Sequence, residues 1–163
     1  MTRSRTARTH GRAPSSLLSI ERHMALYNGK CHCGALGFRF ETELPPLHWE
    51  LRACQCSFCR AHGASCTSDP MGQVRFLCHN REYLQRYQFG LNTAEFLLCR
   101  NCGVYVGAVA AMPAGSFATL NVNVLAPRPE LRPALAVDYS GESREERLDR
   151  RRKRWTPVTA CAF

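Results

Sequence analysis

Apolar and polar residues alternate along several short stretches in the middle of the chain. In the stretch GALGFRFE, Gly34–Glu41, the side chains of Leu36, Phe38 and Phe40 alternate with small or charged ones. This spacing is typical of a half-buried strand. The same pattern and the turn residues between the stretches predict further strands over Trp49–Ala53, Gln73–Leu77, Tyr83–Phe89, Thr93–Leu98, Val104–Val109 and Ser116–Val124. The chain is therefore expected to be mainly β.

The pattern becomes helical between Glu142 and Trp155. Ser143 suits the N-cap position, and Glu145 and Glu146 follow it in the first turn. Arg and Lys residues occupy positions 150–154, near the C-terminal end, where cations interact favourably with the helix dipole. These features predict a short C-terminal helix.

Composition divides the chain into three segments. Residues 1–23 carry five Arg and one acidic residue and are expected to be a disordered basic segment. A transit-type peptide is an alternative for this segment, and so is a start of the protein at Met24. Residues 24–141 are expected to form one β domain, and residues 142–163 a basic helical extension.

The net charge of +9 lies mostly in the two outer segments, which contribute +4 and +3, whereas residues 24–141 contribute +2. A domain-wide basic face, typical of nucleic-acid binders, is absent from this distribution, so nucleic acid is not expected as a partner. No run approaches the roughly 18 apolar residues of a membrane span. Because no secretory signal precedes the cysteines either, a cytoplasmic protein without membrane contact is expected.

The cysteines carry the strongest chemical signal. Seven of the ten fall into three groups at metal-ligand spacing, which are Cys31 and Cys33, then Cys54, Cys56 and Cys59, then Cys99 and Cys102. Two thiolates separated by one or two residues in a tight turn can reach one ion, and zinc takes such ligands in tetrahedral geometry. Gly34 and Gly103 each follow a pair and allow a backbone with positive φ there. Zinc is favoured over an iron–sulfur cluster, which the same thiolates also suit.

The number of ligands indicates two different sites. Pairing the first group with the third gives a closed four-cysteine structural site, and the middle group then forms a site with three ligands. Three protein ligands and one open position are typical of a catalytic zinc. Alternatively, Cys66 closes the second site and both sites are structural. The remaining cysteines, Cys78 and Cys161, are expected to be ordinary thiols.

Three motifs resemble the glutathione-dependent formaldehyde-activating enzyme family, also called the GFA/centromere protein V-like family. They are GKCHCGA at 29–35, CQCSFCR at 54–60 and FLLCRNCG at 96–103. The resemblance implies a β-tent fold of antiparallel sheets pinned by zinc. It also implies that the catalytic zinc lies at the middle cysteine group. The activity it implies joins glutathione and formaldehyde to S-(hydroxymethyl)glutathione, a carbon–sulfur lyase reaction.

The residues that follow the middle cysteine group are candidates for catalysis. Arg60 suits a substrate carboxylate, and His62 suits proton transfer. We therefore expect a zinc enzyme that acts on a small glutathione-like thiol and an aldehyde, with the thiol bound at the open position. The competing hypothesis is a zinc-stabilised binding module whose basic C-terminal helix contacts nucleic acid or an acidic partner.

Overall fold

The computed structural model describes residues 23–161, so the predicted disordered segment, except for His23, lies outside the described residues. The strands are β1 (Ala25–Lys30), β2 (Leu36–Thr42), β3 (Arg52–Cys54), β4 (Cys66–Thr67), β5 (Gln73–Cys78), β6 (Leu84–Tyr87), β7 (Glu95–Cys99), β8 (Tyr105–Met112), β9 (Gly115–Asn121), β10 (Leu135–Val137) and β11 (Thr156–Cys161). The α-helices are α1 (Ser57–Ala61) and α2 (Arg144–Arg154), and 3-10 turns cover Pro46–His48, Arg81–Tyr83 and Val122–Val124. The expected mainly β fold with a short C-terminal helix is confirmed.

The strands form one branched, mostly antiparallel arrangement. Its main path runs in the order β1-β2-β5-β11-β9-β4-β3-β10. A second branch, β6-β7-β8, joins it where β8 pairs with β9. Only β3 with β10 and β5 with β11 pair in parallel among the described strands. Strands β3 and β7, which end at Cys54 and Cys99, therefore lie on separate branches of one hydrogen-bonded network.

The alternation predicted for β2 places its apolar residues in the core. Leu36, Phe38 and Phe40 are at most 3% exposed, whereas Arg39 between them is exposed. Phe38 packs against Phe76 of β5 with ring centroids 6.3 Å apart. Burial of these large side chains provides most of the driving force for the pairing of β2 with β5.

The last strand was not predicted and links the two halves of the arrangement. Residues Thr156 and Pro157 of β11 pair with β9, and the residues after them pair with β5. Thr156 is completely buried, and its hydroxyl accepts a hydrogen bond from the backbone N–H of Asp69 at 2.8 Å. This strand anchors α2, which directly precedes it, against the sheet.

Helix α2 begins with the N-cap that the sequence predicts. The backbone N–H of Glu146 donates to the Ser143 hydroxyl at 3.2 Å, and the Ser143 N–H donates to the Glu146 carboxylate at 2.8 Å. This reciprocal pair is a capping box. No helix in the described part of the chain is long and apolar enough to span a membrane.

Substituting Ser143→Ala is expected to lower the free energy of unfolding by about 1 kcal/mol, because the backbone N–H of Glu146 loses its acceptor, the Ser143 hydroxyl. Urea denaturation followed by circular dichroism measures this loss. Ser143→Thr is the matched control, since threonine retains the capping oxygen and should lose less than half as much. Equal losses in both variants would contradict the role of the capping oxygen.

Candidate metal centres and the adjoining cavity

The first cysteine cluster joins two turns that are far apart in sequence. It contains Cys31, Cys33, Cys99 and Cys102, whose sulfur atoms all lie within 4.8 Å of one another. One pair lies in the turn between β1 and β2, and the other lies at the end of β7 and in the turn before β8. Gly34 and Gly103 have φ values of 80° and 72°, as the sequence predicts for the residue after each pair. We refer to these residues as the four-cysteine cluster.

The spacing of these sulfurs fits a tetrahedral zinc ion. The Sγ atoms of Cys31 and Cys33 are 3.6 Å apart, and those of Cys33 and Cys99 are 3.5 Å apart. A tetrahedron with zinc–sulfur bonds of about 2.3 Å has edges of about 3.8 Å, so little adjustment is needed. Cys31 and Cys99 are at most 1% exposed and belong to the main hydrophobic core. The donor set is therefore closed, with Cys31 and Cys99 buried in the core, Cys102 half-buried and Cys33 exposed.

Local hydrogen bonds favour the thiolate form of one sulfur in this cluster, which is the form that binds a cation. The side chain of Asn101 and the backbone N–H of Ala35 lower the pKa of the Cys33 thiol to about 6. Burial raises the pKa of Cys99 to about 12 in the protein without metal. A bound cation would favour the thiolate form of every sulfur in the cluster.

The second cluster contains Cys54, Cys56 and Cys59, whose sulfur atoms also lie within 4.8 Å of one another. Cys54 ends β3, Cys56 is the N-cap of α1, and Cys59 lies within α1. The Cys59 N–H donates to the Cys56 sulfur at 3.4 Å, so the short helix itself holds two of the sulfurs together. We refer to this set as the three-cysteine cluster, and its soft donors also suit zinc.

Charge and hydrogen bonding distinguish the sulfurs of this cluster. The Cys59 thiol lowers the pKa of Cys54 to about 6 by hydrogen bonding, and the positive charge of Arg150 acts in the same direction. The pKa of Cys59 is raised, since its thiol supplies that hydrogen bond and is largely buried. The cluster thus already has one sulfur that favours the thiolate form.

Cys66 is close to the three-cysteine cluster without being part of it. Among the described residues, the group of mutually close sulfurs comprises three cysteines only. Cys66 packs in the same small apolar cluster with Cys59 and Tyr105, and the Tyr105 hydroxyl hydrogen-bonds to its sulfur. Burial raises the pKa of Cys66 to about 12, which keeps the thiol protonated. The geometry therefore gives a set of three sulfurs with a buried thiol beside it.

A cavity of about 310 Å³ opens beside the three-cysteine cluster, and all three of its cysteines line the wall. Aromatic side chains form another part of the lining, namely Phe89, Phe96, Tyr105, Tyr139 and Trp155. Arginines form a third part, namely Arg52, Arg147, Arg150 and Arg151. Three of these arginines come from α2, so the C-terminal helix completes the cavity. We call this space the arginine-lined cavity.

Aromatic rings pack around Phe58 next to the arginine-lined cavity. Phe58 of α1 stacks on Tyr87 and Phe89 with centroids 5.6 and 5.4 Å away, and meets Tyr105 edge to face at 5.3 Å. Sequence reasoning did not identify these residues or the arginines of the cavity. Tyr87 and Phe89 are two residues apart, which in the predicted strand places both side chains on the same face. The local sequence did not indicate that this face would line a cavity.

The two predicted catalytic residues lie at the end of α1. Arg60 and His62 are both exposed, and neither is among the described residues that line the arginine-lined cavity. The His62 ring lies 4.2 Å from the Phe58 ring, centroid to centroid, and its Nδ1 is 2.9 Å from the Phe58 carbonyl oxygen. The structure thus places both residues near the three-cysteine cluster in sequence but outside the cavity wall.

Fold and site together define a mainly β protein with two cysteine clusters of metal-ligand geometry, one of which opens into a cavity. The model of the glutathione-dependent formaldehyde-activating enzyme family matches residues 26–140, and the chain belongs to this family. The comparison with curated proteins gives no match. A crystal structure of a Rhodobacter sphaeroides protein, solved as a structural genomics target, is 27% identical with a TM-score of 0.47, and the alignment covers 81% of this chain and 99% of that one.

Proposed function

We propose that this chain is a zinc-dependent carbon–sulfur lyase that joins a small glutathione-like thiol to an aldehyde and reverses that reaction. The observation that carries the proposal is the opening of the three-cysteine cluster into the arginine-lined cavity. A closed four-cysteine site has no position for a substrate, whereas a site with three protein ligands has one. Membership of the formaldehyde-activating family supports the same type of reaction.

The two clusters are proposed to have different roles. Zinc held by Cys31, Cys33, Cys99 and Cys102 would be structural, and zinc held by Cys54, Cys56 and Cys59 would be catalytic. When bound at the three-cysteine cluster, zinc supplies a position at which a thiol binds as its reactive thiolate.

The reaction itself needs no oxidant or reductant. The thiol sulfur forms a bond to the carbonyl carbon, the carbonyl electron pair moves to oxygen, and that oxygen takes up the proton that the thiol lost. The protein's contribution is to hold the two reactants in contact, which raises their effective concentration. The aromatic wall formed by Phe89, Phe96 and Trp155 would exclude water from the reacting atoms.

The experiment is exchange NMR on the fully metallated protein with ¹³C-formaldehyde and glutathione. We expect the exchange between free formaldehyde and the thiol adduct to be faster than the spontaneous reaction, in proportion to protein concentration. Bovine serum albumin at the same concentration is the control for non-specific thiol effects. Failure to accelerate the exchange with glutathione and with several other small thiols, while two zinc ions per chain are present, would overturn the proposal.

The catalytic role of Arg60 and His62 stays a prediction from the sequence. It requires that His62→Ala lower turnover at least about 100-fold, as is typical for the loss of a proton-transfer group, and that Arg60→Gln lower kcat/KM at least about tenfold, the effect of losing a hydrogen bond to a charged group. Unchanged turnover in both variants would remove these residues from the mechanism. The cytoplasmic location likewise stays a prediction.

The alternative of a binding module places function on the basic surface of α2. Most of those cations have acidic partners within the molecule, with Arg147 and Arg150 on Glu142, Arg152 and Lys153 on Asp149, and Arg154 on Glu50. Such pairing reduces the positive charge offered to a phosphate backbone. No specific observation favours the binding module, so the enzyme is the function that we propose.

A further inference from the structure

Arg151 is a buried cation that has no acidic partner among residues 23–161. Its side chain is on α2 and only 7% exposed, yet it forms no ion pair there, unlike the arginines beside it in the helix. Its Nη1 atom donates to the Thr93 hydroxyl at 2.6 Å, and its guanidinium group lies over the Trp155 ring at 4.6 Å. The Nε atom is buried and has no hydrogen-bond partner. A desolvated charge with an unused donor is unfavourable unless something else satisfies it.

The location of Arg151 suggests what satisfies it. Its side chain lines the arginine-lined cavity, as do Arg52, Arg147 and Arg150. Asp138 is the one acidic residue of the described chain in that lining, and its carboxylate accepts hydrogen bonds from Ser140 at 2.9 and 3.1 Å. The lining therefore contains four arginines and one acidic residue.

The other arginines of the cavity differ from Arg151 in being partnered. Arg147 and Arg150 both bind the carboxylate of Glu142, at 3.3 and 2.5 Å. Arg52 is 6% exposed and donates to the Ser68 hydroxyl at 2.6 Å, and it lies 3.7 Å from a carboxylate oxygen of Glu50. Arg151 is thus the residue in this wall whose charge is least compensated.

We propose that the arginine-lined cavity selects substrates that carry an oxyanion, a carboxylate or a phosphate, and that Arg151 binds this group while the thiol reaches the three-cysteine cluster. This inference rests on the proposed function for the role of the thiol, but the anion site can be tested without turnover. Arginine suits it because its planar donor groups match the two oxygens of such an anion.

Two further observations agree with an anion at this place. Burial, followed by the nearby charges of Arg150 and Arg147, lowers the pKa of Arg151 to about 10, which leaves it positively charged at neutral pH. The Trp155 ring beneath the guanidinium and the Thr93 hydroxyl hold the side chain in place. A positioned, charged and incompletely bonded arginine is preorganised for binding.

The test measures binding of matched thiols to the zinc-loaded full-length chain by isothermal titration calorimetry. The probes are 3-mercaptopropionate and 3-mercapto-1-propanol, which differ chiefly in charge. We expect the carboxylate to bind at least about tenfold more tightly. Propionate and inorganic phosphate, which lack a thiol, are then used as competitors, and the one that competes better identifies the preferred oxyanion. Equal affinity for the two thiols, or competition by neither anion, would overturn the inference.

Variants connect the preference to Arg151. Arg151→Gln is expected to reduce the charge preference to about threefold or less, and Arg151→Lys to retain more of it. Arg152→Gln, the next residue on the same helix and about half exposed, is the matched control and should leave the preference unchanged. Arg151→Met fills the space over Trp155 and replaces the glutamine variant if that one fails to fold. An unchanged preference in a folded Arg151→Gln or Arg151→Met protein would assign the residue a structural role only.

The outcomes also separate this inference from the proposed function. Anion binding that depends on Arg151, in a protein that does not accelerate the thiol–aldehyde exchange, would leave the anion site standing and remove the lyase. Acceleration without any preference between the charged and neutral thiols would leave the lyase standing and remove the anion site.

Discussion

Replacing Cys99 by serine is expected to remove one of the two proposed zinc ions and to destabilise the whole domain. The four-cysteine cluster connects the turn after β1 to the turn after β7, and its Cys99 is 1% exposed. Zinc bound to such sites contributes about 10–16 kcal/mol in small zinc-binding peptides, comparable to the stability of an entire domain. Loss of even about 5 kcal/mol corresponds to a fall in Tm of roughly 10–20 °C.

Metal content by mass spectrometry and thermal unfolding by circular dichroism measure the two effects in one sample. Cys78→Ser is the matched control, because Cys78 is a partly buried cysteine of β5 that belongs to neither cluster. It should keep both metal ions and change Tm by only a few degrees. A Cys99→Ser protein with two zinc ions and an unchanged Tm would contradict the structural role of the cluster.

Replacing Cys56 by serine is expected to abolish the activity while the fold is retained, in contrast to Cys99→Ser. Cys56 accepts the Cys59 N–H at the N-cap of α1, and serine is among the best residues for that position. The helix should therefore survive, while the metal loses one of its three ligands. We expect one zinc ion per chain to remain and the thiol-dependent turnover to fall at least about 100-fold.

The measurement is the ¹³C-formaldehyde exchange at a matched concentration of folded protein, together with metal content and Tm. The Cys78→Ser protein again serves as the control and should exchange like the wild type. Retained turnover in a Cys56→Ser protein that has lost one zinc ion would exclude the three-cysteine cluster as the catalytic site. Collapse of the fold, as expected for Cys99→Ser, would assign the cluster a structural role instead.

Local patterns predicted several of the longer elements, although the six-residue strands β1 and β11 were not among them. The alternation around Phe38 and Phe40 correctly predicted β2 and its buried face, because successive side chains of a strand point to opposite sides. The cap at Ser143 correctly predicted the start of α2, since capping depends on residues three positions apart. Both signals are contained within a few residues of sequence.

Elements that depend on distant partners were not predicted. Strands β4 and β10 have two and three residues, too few to show alternation, and exist through pairing, β4 with β3 and β9, and β10 with β3. The segment that forms β11 follows a strong helical signal and pairs with β5 and β9, which lie far earlier in the chain. Tertiary pairing, rather than local preference, determines strands of this kind.

The sequence by itself determined the kinds of metal ligands, their grouping and the family, because cysteine spacing and the glycines after each pair are local properties. It also indicated that one group would have three cysteines. Only the tertiary structure decided that Cys33 and Cys99, 66 residues apart, approach to 3.5 Å. It also decided that α2 supplies arginines to the cavity beside the three-cysteine cluster. The charge of that cavity depends on how a helix docks on a distant sheet, and no short stretch of sequence encodes such a contact.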